Sequence, residues 1–146
     1  MTVPSDVADH LLNDGSLTGA PFNLTDDEVR PGPKLPISID AAVTDPIPDR
    51  CVFIVPTGGP KDIAYKDGGA RGREEFPTVQ ILVQSPAHDY DSGLALADAV
   101  YDSINLRAFG PYFDAQAFGR PAHLRIDEQG HHEFVFNVLL KRQRDI

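Results

Sequence analysis

The stretch from Phe76 to Asn105 constrains the fold most, because two different periodicities follow each other within it. Over Pro77–Ser85, Val79, Ile81 and Val83 alternate with Thr78, Gln80 and Gln84, the period of two of a half-covered strand. After a short polar turn, Leu94, Ala97, Tyr101 and Ile104 recur at i, i+3, i+7 and i+10, with Val100 beside them. That spacing predicts an amphipathic helix over Asp91–Asn105 whose apolar stripe covers the strand. Asp91, Ala95, Asp98 and Asp102 make the opposite, solvated stripe, and the small residues Ala95, Ala97 and Ala99 allow close approach to a sheet.

The remaining elements read as additions to this unit. Ser5 is placed to cap a short helix running to about Asn13, with Gly15 as its stop. Residues 16–50 are dense in Pro and Gly, which excludes a long helix and leaves room for a brief extended piece at Ile37–Ile39. Cys51–Val55 is a strand apolar on both faces. The glycine-rich stretch Thr57–Glu75 is either a long connection without structure of its own or an extended hairpin bending back through Ile63–Tyr65. Phe109, Tyr112, Phe113 and Phe118 lie in an aromatic connector expected to cover one edge of the core. Two strands close the chain: Ala122–Asp127, with Leu124 and Ile126 on one face, and Glu133–Leu140, with Phe134, Phe136, Val138 and Leu140 on one face. Asp127-Glu128-Gln129-Gly130 between them is a hairpin turn with Gly where positive φ is needed. The expected fold is α+β: a mainly antiparallel or mixed sheet of about four strands, two helices on one face, and a long Gly-rich loop. One domain spanning 1–146 accommodates all of it.

Composition narrows the function classes. A hydrophobic content of 41% over 146 residues suits one real core. No apolar run approaches the roughly 20 residues of a membrane span, and no basic-then-apolar leader opens the chain, so no membrane partner and a cytoplasmic origin are expected. The single cysteine, Cys51, begins an apolar run and reads as a buried, inert thiol. A net charge of −9 argues against tight binding to a phosphate backbone.

Candidate chemistry is sparse. His131 and His132 are adjacent on a strand and point to opposite faces, while His123 across the hairpin can approach one of them. Zinc asks for three or four convergent ligands, so no metal is expected. Thr57-Gly58-Gly59-Pro60-Lys61 lacks the Gly-Lys-Ser/Thr ending of a P-loop. Ser85, Ser92 and Ser103 lack a nucleophile-elbow context, and Asp98 and Asp102 read as solvated surface. No catalytic residue and no cofactor are expected.

Four segments, taken in order, resemble the tail terminator and minor capsid (head–tail neck) proteins of long-tailed phages. They are the strand CVFIVPTGG behind Pro48-Asp49-Arg50, the long loop, the unit FPTVQILVQ…GLALADAVYDSIN, and the closing hairpin PAHLRIDEQGHHEFVFNVLLKR. The resemblance covers Asp49 to Arg142 and the N-terminal helix, whereas residues 16–48 match only loosely. It implies a non-enzymatic virion protein of the tail–neck junction, assembled in the host cytoplasm. Such a subunit joins a homo-oligomeric ring, in that family a hexamer, that caps the tail tube, ends its polymerisation and meets a head-completion or connector protein. DNA would pass the ring's lumen without sequence-specific binding, which an acidic protein suits. Assembly contacts are expected from the basic residues of the loop, Lys61, Lys66, Arg71 and Arg73, and from a mixed strand face holding Thr78, Gln80 and Gln84. Two alternatives remain at this level: a head-completion or connector protein of the neck, and a small α+β enzyme or ligand-binding domain with its site under the loop.

Overall fold

The computed structural model describes residues 2–34, 48–59, 63–67 and 70–145. In chain order these form helices α1 (Val3–Leu12) and α2 (Gly15–Thr18), a 3-10 turn (Asp26–Glu28), and strands β1 (Val29–Pro31), β2 (Cys51–Gly58), β3 (Ile63–Asp67), β4 (Ala70–Glu75) and β5 (Thr78–Ala87). Helix α3 (Tyr90–Ile104) and strands β6 (Tyr112–Ala117), β7 (Ala122–Ile126) and β8 (His131–Asp145) follow. The expected piece at Ile37–Ile39 lies outside the described residues.

Among the described residues the sheet is mixed and eight-stranded, twice the expected number of strands, and β8 is its axis. Fifteen residues long, β8 serves two strands on each edge: β5 and then β4 on one, β7 and then β6 on the other. β2 pairs antiparallel with β5, β1 parallel with β2, and β3 antiparallel with β4. The stretch 57–75 is therefore the hairpin alternative and not an unstructured loop: β3 and β4 fold back on each other, and β4 pairs Gly72 with Asp145 through Glu75 with Arg142. Gly59 marks its start. With φ +146° it passes so close to the Phe76 carbonyl that an added Cβ would lie 2.0 Å from that oxygen.

The core lies between one sheet face and the helices α1 and α3. Val79, Ile81 and Val83 of β5 stand opposite Val138, Phe136 and Phe134 of β8, and all are buried. The helix presents Gly93, Leu96, Ala97, Val100 and Ile104 to them, so its contact stripe is turned from the expected one. Leu94 and Tyr101 pack on the flank, half-buried, and Ala95 faces solvent. Gly93 explains the turn: a Cβ there would sit 2.4 Å from Ser85 Cβ and 2.8 Å from the Phe134 ring, so the backbone itself is the contact surface. The α1 cap also differs. Thr2, not Ser5, caps it, accepting from Ser5 N at 3.2 Å, and Asn13 ends it before Asp14 starts the next helix.

Two apolar expectations fail in one place. Leu124 and Ile126 are 53% and 56% exposed, and every residue of β7 is exposed. In the aromatic connector Tyr112 is buried and Phe109 packs against the core, but Phe113 and Phe118 are 52% and 65% exposed. Tyr90 at the start of α3 covers His123, but a register shift between His123 and Arg125 breaks the alternation at Leu124, and Leu124 and Ile126 stay exposed.

Candidate assembly interface

The sheet face turned away from α1 and α3 carries the predicted polar row. Register puts Val55, Gln80 and Asn137 side by side, then Phe53, Leu82 and Val135, then Cys51, Gln84 and Glu133. Gln80, Leu82, Val135 and Leu139 are half-buried and Asn137 is exposed, which makes a mixed patch. Thr78, at its end, shares a 2.8 Å hydrogen bond with the Thr57 hydroxyl. Gln84 departs from the expectation. It is 1% exposed and its Nε2 donates to the carbonyls of Pro48 and Asp49 at 3.2 and 3.0 Å, so it ties the entry of β2 to the sheet inside the subunit.

Beyond Gln84 lies a set of buried charges that the sequence reading missed. Glu133, fully buried, receives Lys34 Nζ and, at 2.9 Å, Arg125 Nε. Lys34 Nζ also donates to Asp127 at 2.9 Å. His131 is held between Asp127 and Asp49 at 2.9 and 2.8 Å. Burial raises the Asp127 pKa, but donors from Lys34, His131 and Gln129 outweigh it and hold the carboxyl well below the usual carboxylate range. A carboxylate paired in this way fixes the segment after β1 across the sheet. The only sequence signal for it was a strand alternating Glu133 with Phe134, which reads as solvent against core.

Burial pushes the Cys51 thiol up to about 12, so it is an inert thiol under physiological conditions. His123 Nε2 lies 3.1 Å from His132 Nδ1, with Tyr90 packed on both rings, and His131 sits on the opposite face. Among the described residues, no three His, Cys, Asp or Glu side chains are grouped to hold a metal. An open groove of about 630 Å³ separates α1 from the Phe109–Pro111 turn. Several of its polar groups hold the fold: Asp6 takes the Tyr112 hydroxyl at 2.8 Å, and His10 Nε2 meets the Ser103 carbonyl at 2.7 Å while stacking on Phe109. Arg142 in turn donates to Glu75 at 2.7 Å.

Lys66 lies on β3, opposite Arg71, and Arg73 lies on β4, opposite Ala64; Lys61 lies outside the described residues. The hairpin thus groups three of the four predicted basic positions, and the end of β8 adds Lys141, Arg142 and Arg144 alongside. Residues 61–75 are charge-balanced by themselves; with 141–145 they carry +2, against −11 for the rest of the chain. The net positive charge therefore comes from the end of β8, which lies alongside the charge-balanced hairpin.

No protein-family model and no curated protein sequence matches this chain. A chain in the solved virion of a native gene transfer agent particle is similar in structure, with TM-score 0.61 over 97% of this chain and 95% of that one, at 16% identity. At that identity the likeness is one of fold, and it extends over nearly the whole length of both chains.

Proposed function

We propose that this chain is a structural, non-enzymatic virion protein of a phage-like particle: a single-domain subunit, residues 1–146, of a ring at the tail–neck junction. The observation that carries the reading is the fold shared, nearly end to end, with a chain of a gene transfer agent virion. Within that class we assign the chain to the tail terminator. Its ring, a hexamer by the resemblance, caps the tail tube, stops its growth and offers its other side to a head-completion protein. The basic arm of β3, β4 and the end of β8 suits an acidic neighbour, either the next subunit or the tube beneath. The mixed patch around Thr78 and Gln80 suits a wet, polar-rimmed contact. Net charge of −9 suits a channel along which DNA slides.

Removing the gene from its phage or particle-producing host tests the assignment. Tails of uncontrolled length and separate filled heads are the expected result. Normal tails with unfilled or leaking heads would move the chain to head completion, and fully normal particles would end the virion reading.

A further inference from the structure

The two borders of the sheet body differ in chemistry. Across β1-β2-β5-β8 and on to β7, the borders are β1 and β7, about 19 Å apart at the usual strand spacing. At the β7 border every residue is exposed, among the described residues β7 pairs only with β8, and Leu124 and Ile126 present bare apolar surface. Around them are two exposed cations: the side chain of Arg125 is 64% exposed, and that of Arg120 is 65% exposed while it reaches Asp98 at 3.7 Å and lies over the Tyr101 ring. Arg125 leans on buried Glu133, which fixes its base and leaves most of the guanidinium in solvent. At the β1 border the 3-10 turn exposes Asp26 and Asp27, and Pro31 and Pro33 beside it are exposed as well. β1 has three residues and ends in Pro31, which has no N–H, so this border is protected against strand addition, whereas among the described residues β7 is an open edge.

We propose that the β7 border is a docking surface for a second copy of this chain, which enters with its Asp26–Asp27 turn. Arg120 and Arg125 of one copy face Asp26 and Asp27 of the next, and Leu124 and Ile126 are covered against the exposed prolines. The two patches are different and lie on opposite borders, so the contact is head-to-tail and propagates around a ring. Complementary charge on one chain is what selects a second copy over another partner. The inference rests on the ring reading above and supplies its subunit contact.

Two variants test it. Leu124→Asp blocks the β7 border, and Asp26→Lys with Asp27→Lys reverses the other. Each replaces exposed residues, so thermal unfolding should match the wild type. In concentrated protein sized by light scattering, each variant alone should associate at least about 100-fold more weakly than wild type. Mixed together they still hold one intact pair of borders, so the mixture should form dimers and nothing larger. Variants that associate as wild type does would overturn the docking surface and leave the ring reading standing. If the free wild type does not associate, incorporation into particles decides: exclusion of both variants supports the contact, and incorporation at wild-type level overturns it. A wild-type virion with a single copy of the chain would instead overturn the ring reading.

Discussion

Strand β8 has two apolar neighbourhoods with opposite fates. On its β5 side, Phe134, Phe136 and Val138 stand beside Val83, Ile81 and Val79 beneath α3, none more than 4% exposed. On its β7 side, Leu124 and Ile126 are equally apolar and more than half exposed. The difference lies in cover. α3 is anchored where Gly93 meets Ser85 and Phe134, and it runs over β5 and the middle of β8. Among the described residues, β7 pairs only with β8, and no strand lies on its outer edge. Period-two alternation therefore locates a strand without saying what covers it, and exposed apolar edge residues carry information about a neighbour.

Mutations on the two sides of β8 should differ sharply in cost. Phe136→Ala removes a buried ring and should cost about 3–5 kcal/mol in urea unfolding, whereas Ile126→Ser should cost under about 0.5 kcal/mol. A loss below about 1 kcal/mol for Phe136→Ala would mean that the α3 side is not the core. Lys34→Met comes next. It leaves buried Glu133 with Arg125 alone and should cost about 3 kcal/mol, far more than an exposed lysine would. Gly93→Val should cost about 1–3 kcal/mol by forcing α3 off β5, while Ala95→Val on the solvent side of the same helix should cost only tenths.

A smaller effect is expected from pH. Because the folded protein holds the Asp127 carboxyl below its unfolded value of about 3.9, its contribution is fully present above that pH. It is lost as pH falls through the lower folded value. Glu28, where Arg50 and Thr25 outweigh the upward push of burial, acts in the same direction. Stability measured by urea midpoints should thus fall below about pH 4, and Asp127→Asn should be less steep there than wild type. The least effect on folding should come from deleting residues 66–73. Residues 63–65 and 74–75 then meet in a shorter turn, the melting temperature stays within a few degrees, and the loss shows in particle assembly instead.

Much of the body was legible. The strand at 77–85, the helix behind it, the alternation of Phe134, Phe136 and Val138, and the Gly130 turn with φ +88° all follow from local pattern. What escaped has physical causes. β1 is three residues long, too short to show a period. β6 reads as connector because its two buried residues, Tyr112 and Ala115, stand three apart across a register shift at Phe113, which hides the period of two. The turned stripe of α3 followed from counting large residues, when a glycine sets the closest approach. In the candidate site, the basic residues of the hairpin were visible as charges, but the share of β8 in that arm depended on a pairing some 70 residues distant in sequence. The ion pairs of Lys34 with Asp127 and Glu133 span more than 90 residues, and no local pattern announces them.

Electron cryomicroscopy of the intact particle tests the central claim most directly. This fold should appear repeated around a closed ring at the head end of the tail tube, with each β7 edge covered by the Asp26–Asp27 turn of the adjacent subunit. A particle in which the fold is absent, or is present as one isolated copy, would contradict it.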